Sequence, residues 1–384
     1  MGPRRPEVEY ISLRKLTWQK QRGPDQATQE GYKCLQKLAN AALKNGPFSI
    51  TFDKAAPHLA PSGDCRDFLS YAPYWWPENP NDPNTKYVRR DGKRNPDIGS
   101  VKDQAQLESF AENFMFLCLG YHFFNNRNYA DHAVLLLNTF FVDEKTRMNP
   151  HLEYAQLVRG SQNRTRMGRC EGVISSRSLS RIANCLPLLE SVDAYNTVKP
   201  YVYAWFNAYL QWLKTCTIAL EATKASNNIH TWYIVQISAI EHLLYPPHVV
   251  YNTLVNYFTH KLTNQVDSKT GDQPSESKRA KPFHYLVFNI QAVMFLAELA
   301  LDIGMNVYQT QPLIHLAIKH ITTFAHSSDL KDDITEAIRC VEITWKGIGN
   351  DTDHCCKSFL DIAYHCKYAE KINGPKNAIH VLWS

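Results

Sequence analysis

A tyrosine set behind a run of cations is a candidate proton-transfer group, and this sequence holds one at Tyr285. It closes the segment QPSESKRAKPFHY (273–285), in which Lys278, Arg279 and His284 precede it. Nearby positive charge favours a phenolate, so such a phenol can act as a base; the same residue type also packs readily in an interior. A second polar-aromatic cluster, NNIHTWYIVQ (227–236), places Asn227 and Asn228 ahead of an apolar-periodic run. One Asn at that point is a good helix cap. Two, with His230, Trp232 and Tyr233 beside them, exceed capping needs, and a helix N-terminus offers N–H groups to an anion such as a sugar carboxylate.

Two further clusters are rich in rings and cations. DFLSYAPYWWP (67–77) supplies Tyr71, Tyr74, Trp75 and Trp76, and YVRRDGKRNP (87–96) follows with Arg89 and Arg90. Broad apolar faces with polar tips suit stacking on sugar rings, and a plug that pins a long loop is an equal reading. TRMNPHLEYAQ (146–156) ends on Gln156 and leads to Arg169, a mixture found both in groove linings and in loop caps.

The elements between these clusters are helical. Apolar positions recur at helical spacing over 28–45, 103–124, 128–141, 178–193, 199–222, 229–244, 247–263, 283–304, 311–326, 330–345 and 354–371. Consecutive amphipathic helices with short connections pair as antiparallel hairpins, and a stack of hairpins can close into a ring whose end loops form a cleft. The expectation is one domain over 28–384 with a loosely ordered segment at 1–27, and the aromatic stretch at 67–96 as loop. No fixed-period repeat and no glycine-rich phosphate loop is visible, which disfavours a consensus solenoid and removes support for nucleotide chemistry.

Composition agrees with a folded chain: 384 residues are 44% hydrophobic and 21% charged. A net charge of +5 without a dense Lys/Arg run gives no case for nucleic acid. No run of about 18 apolar residues predicts a membrane span, and the N-terminus lacks the apolar stretch of a secretory leader. Ten cysteines are widely spaced, so packing as free thiols and one or two disulfides are both open. His354-Cys355-Cys356 and His365-Cys366 fit no standard zinc spacing, so no metal is expected. Asn163 and Asn350 head glycosylation triplets of the kind that arise often by chance.

Taken together, APYWWP, RRDGKRNP, TRMNPHLEYAQ, NNIHTWYIVQ and QPSESKR…FHYLVFN resemble, in order, the motifs of the alginate-lyase family of polysaccharide lyases. The resemblance covers about residues 50–305. It implies an all-α fold, an α/α toroid with a groove formed by loops at one end. It also implies β-elimination at 4-linked uronates, without a cofactor, on an acidic polysaccharide, by a monomer working outside the cell or in the periplasm. Position by position, Tyr285 matches the Tyr that serves as base and acid, and Asn228 the carboxylate-neutralising Asn. Arg279, with Lys278 as a rival, matches the assisting Arg. The aromatic and basic motif residues, with Gln156, Arg169, Trp232, Tyr233 and His284, would line the substrate groove. The family His falls on Ile229, with His230 one place later, and two acidic positions become Ser175 and Ile234. Three outcomes follow: an inactive sugar-binding homologue, altered specificity, or activity without that His through His230 or Tyr285 alone. A bare helical scaffold with a vestigial groove ranks behind these.

Overall fold

The computed structural model describes residues 8–82, 84–326, 332–349 and 354–384. Helices of all kinds account for 63% of the chain and strands for 4%, which settles the all-α class. Where the sequence predicts one continuous domain, contacts divide the chain into two compact units: Ala39–Ala225, and Met1–Leu38 with Ser226–Ser384.

In the inserted unit, the 22-residue helix Asp103–Phe124 occupies the predicted span. It stops because Asn125 adopts φ 53° and returns its N–H to the Tyr121 carbonyl, a left-handed cap that Asn tolerates. Asn126 then caps the next helix, Arg127–Leu137, by accepting from the Asn128 N–H. The core around them is aromatic: Phe110 stacks on Phe140 at 4.6 Å, and Phe141 meets Trp205 at 4.5 Å. A buried ion pair anchors the preceding loop. Lys54 Nζ lies 2.5 Å from Asp103 Oδ2, with both side chains 3% exposed, and Asp103 also accepts the Leu69 N–H at 2.8 Å. Burial pushes the Asp103 carboxyl up to about 6 against the lowering effect of Lys54.

The aromatic stretch expected as loop contains strands. Trp75–Pro77 pairs antiparallel with Tyr87–Arg89, Trp75 opposite Arg89 and Pro77 opposite Tyr87. Leu69–Tyr71 pairs parallel with Tyr154–Leu157. The pairing is between segments of three or four residues, too short for period-two alternation to show, and the N–H-deficient Pro77 sits at a strand end. Asn163 uses its amide within its own loop, donating to the Val158 and Met167 carbonyls at 3.0 Å each. Asn350 lies outside the described residues.

In the discontinuous unit, residues 8–27 depart from the expected loose segment. Leu13–Arg22 is a helix capped by Ser12. Tyr10 and Ser12 bond Asp302, Lys15 pairs with Glu298 at 2.7 Å, and Glu9 meets Arg339. Charge content made this segment read as solvated, whereas its buried side is set by Val8, Tyr10, Ile11 and Leu16. The helices Pro247–Asn256, Pro282–Asp302 and Pro312–Thr322 each open with proline in the first turn, where its missing N–H costs nothing. Pro282–Asp302 is long and apolar enough to cross a bilayer, but 72% of its apolar window is buried, so it is the core helix of this unit. Asn228–Leu244 packs beside it and is buried nearly all round. None of the ten cysteines is in a disulfide. Cys355 and Cys356 have their sulfurs 4.0 Å apart, and among the described residues no group of three His, Cys, Asp or Glu side chains is arranged to hold a metal.

Candidate active site

Asn228 opens the helix Asn228–Leu244, and Asn227 caps it by accepting the Ile229 N–H at 3.1 Å. The anion site predicted at this helix start is filled from within the chain. Oε1 of Glu276 accepts both the Asn228 N–H, at 2.7 Å, and its side-chain Nδ2, at 2.6 Å. Glu276 comes from the short turn Pro274–Ser277 and is only 1% exposed. Burial raises its carboxyl above the usual range, while the Asn228 bonds and the Arg279 charge pull the other way. Its second oxygen has no hydrogen-bond partner among the described residues. Two donors to one oxygen fix the rotation of the Asn228 amide. Sequence reasoning missed this residue as a site member, although Glu276 stands in the QPSESKR motif.

Pro282 starts the next helix so that Tyr285 sits in its first turn. The Arg279 guanidinium lies 3.8 Å above the Tyr285 ring, and Tyr285 is 6% exposed. Of the two candidate cations, Arg279 covers the Tyr285 ring and Lys278 is exposed. His284 bonds Glu336 at 2.7 Å and stacks on Phe288 with rings 8° from parallel. Asn228, Glu276, Arg279 and Tyr285 therefore lie within one unit, joined by Glu276's bonds to Asn228 and by Arg279 over Tyr285.

The other predicted members of the 227–236 motif go elsewhere. His230 is 1% exposed and stacks on Tyr257, ring centroids 6.3 Å apart and planes 15° from parallel. Trp232 is fully buried against Phe288, and Tyr233 is buried with its phenol pushed up to about 12 by desolvation. His230, Trp232 and Tyr233 are thus buried in the helix that Asn228 opens. This helix is covered nearly all round, and Asn228 at its start meets Glu276 of the facing turn. A buried amide network continues behind it. Thr231 donates to Asn289 at 2.6 Å, Asn289 to Gln273 at 2.7 Å, and Gln273 to the Leu286 carbonyl at 3.2 Å. That chain holds the turn carrying Glu276 to the helix carrying Tyr285.

In the inserted unit the motif aromatics Tyr71, Trp75, Trp76 and Tyr87 are half-buried, each with a cation over one face. Arg159 lies 4.5 Å from the Tyr71 ring and 4.9 Å from Tyr87, Arg169 lies 5.4 Å from Trp75, and Arg90 lies 5.5 Å from Trp76. Trp76 donates its indole N–H to the Lys93 carbonyl, and Arg89 pairs with Asp91 at 3.0 Å. Tyr74 is half-buried beside them. Gln156 takes φ 51°, receives its place from an N–H bond to Ser70 Oγ, and donates its amide to the Glu171 carbonyl. Glu171 also pairs with Arg169, whose guanidinium is held below its usual range by burial. His151 and Asn149 bond Asp67 at 3.0 and 2.6 Å, which makes them loop braces.

The alginate lyase family model matches residues 52–328. Among solved structures, an alginate lyase from Bacteroides ovatus is 27% identical, with a TM-score of 0.84 over 99% of this chain and 100% of that one. Alginate lyase A1-III from Sphingomonas species A1 is 14% identical, with a TM-score of 0.57 over 98% and 95%, a likeness of fold alone. The chain shares the α/α toroid class of those structures. No curated protein matches.

Proposed function

The chain belongs to the alginate lyase family and is a polysaccharide lyase, and we propose that it cleaves 4-linked uronate polymers by β-elimination, with Tyr285 moving the proton. The observation that carries this reading is the cluster itself: Arg279 seated over Tyr285, and Asn228 locked by Glu276. Asn228 would donate its remaining amide proton to the C6 carboxylate, lowering the cost of charge at C5. The Tyr285 oxygen then takes the C5 proton. That C–H electron pair forms the C4–C5 double bond, the C4–O4 bond breaks, and Tyr285 returns the proton to O4. Uronan polymers are too large to pass a membrane, so an extracellular or periplasmic site of action accompanies this reading.

Stereochemistry narrows the substrate. In mannuronate and glucuronate the C5 proton and O4 leave from one face, so a single phenol serves as base and then as acid. Guluronate presents them on opposite faces and needs a second group. Ile229 stands at the family His position, and His230 is buried in the core. Absorbance of the unsaturated product is expected to rise with mannuronan or glucuronan and to stay flat with polyguluronate; turnover of polyguluronate refutes the one-phenol mechanism. The same burial of His230 favours a second reading, a sugar-binding homologue without activity. Binding of uronan with no product from any of the three polymers identifies it.

Glu276 offers a sharper check on the cluster. Glu276→Ala frees the Asn228 amide to rotate, and a misplaced group of that kind costs about 100-fold in kcat. Glu276→Gln keeps a carbonyl oxygen for both Asn228 donors and is expected to recover most of the loss. Equal kcat in wild type and Glu276→Ala removes Asn228 positioning from the mechanism.

A further inference from the structure

The discontinuous unit holds a cavity of about 480 Å³ that the elimination mechanism does not use. Its volume lies in the range of small-ligand sites. Its floor is an ion network with its charges already matched. Arg339 donates to both Glu9 oxygens at 3.1 Å and to Glu342 at 2.6 Å, and Glu9 also meets His380 and the Trp383 indole. Strong pairing holds the Glu9 carboxyl well below its usual range despite burial. Such a floor is rigid and offers no spare charge.

The walls differ. Lys371 pairs with Asp333, Glu336 holds His284, and Glu342 accepts from Arg339 and from the Tyr364 hydroxyl. Lys346 lines the same cavity and makes no ion pair or hydrogen bond among the described residues. Desolvation lowers its ammonium from the usual range; the Glu342 and Glu298 carboxylates oppose this and the Arg339 and Lys15 charges add to it, so the group stays short of full compensation and an incoming anion would stabilise it. The Asn373 side-chain amide, also on the lining, is likewise uncommitted among the described residues. Tyr364 presents a 42% exposed ring whose hydroxyl is tied down by Glu342. A cation, an amide and a fixed aromatic face together select a small anion with hydroxyl groups and an apolar ring face.

We propose that this cavity is a second binding site, for a uronate mono- or disaccharide, with Lys346 on the carboxylate, Asn373 on hydroxyls and Tyr364 against the ring. The choice of a uronate rests on the lyase reading; the preference for a hydroxylated anion does not. Glu336 lines the cavity and bonds His284, the neighbour of Tyr285, so an occupant sits one ion pair away from the catalytic cluster.

Calorimetric titration of the full chain carrying Tyr285→Phe with β-1,4-linked diglucuronate, which that variant does not turn over, tests this. Two sites are expected. Adding Lys346→Ala is expected to weaken one of them at least 10-fold, and Lys346→Gln to do the same, with the melting temperature unchanged because Lys346 is exposed. Cellobiose, the neutral counterpart, is expected to leave that site empty. A single site indifferent to Lys346, equal binding of cellobiose, or no binding overturns the proposal. Wild-type turnover of mannuronan and glucuronan is read separately, so failure of the lyase reading leaves the Lys346-dependent site measurable.

Discussion

Replacing Tyr285 by Phe is expected to lower kcat by about 10²–10⁴-fold, the range for losing one positioned acid–base group. The upper end applies if the same phenol performs both proton transfers. The substitution removes one oxygen and leaves the ring under Arg279, so the stacking and the fold are kept. Binding of mannuronan or glucuronan by the variant should therefore match wild type while product absorbance vanishes. Arg279→Lys separates charge from shape: a lysine keeps the cation but not the flat guanidinium over the ring, and an intermediate loss is expected. Full activity in Tyr285→Phe moves the chemistry to another residue.

The second large effect concerns stability. Lys54→Ala leaves the Asp103 carboxylate buried without its cation, and breaking such a pair costs about 3–5 kcal/mol. The sign of its pH dependence follows from Asp103. Its folded pKa, about 6, already lies above the unfolded value, so the folded state holds the proton more tightly. That contribution favours the fold at low pH and is lost as pH rises through 6. Without Lys54 the carboxyl rises further, so the deficit should be smaller at pH 5 than at pH 8. Urea midpoints at the two pH values measure this. A Lys54→Met, Asp103→Asn double variant should regain much of the loss, because no charge is then stranded.

Most of the helical frame was legible from periodicity, as the match at Asp103–Phe124 illustrates. What one-dimensional pattern lacks is direction. His230, Trp232 and Tyr233 read as site residues by type, yet their helix is enclosed, and an enclosed helix carries no polar face to mark its interior. The Trp75–Arg89 ladder joins segments too short to alternate. Glu276 was visible as a letter in a motif, but its partner Asn228 is 48 positions away, and no local signal encodes that bond. Tyr285 and Arg279 are only six positions apart, so their contact in space, guanidinium over ring, is the kind of nearness a sequence does show.

The order in which the chain leaves the ribosome acquires a meaning from the two-unit division. Ala39–Ala225 is one unbroken stretch and can fold while synthesis continues, whereas its companion waits for pieces from both ends of the message. Glu9 emerges early with its carboxylate unmatched until Arg339, His380 and Trp383 arrive. Nascent chains stalled before position 339 should present the N-terminal arm to protease and the inserted stretch already resistant, so Tyr285 belongs to the part of the protein that matures last.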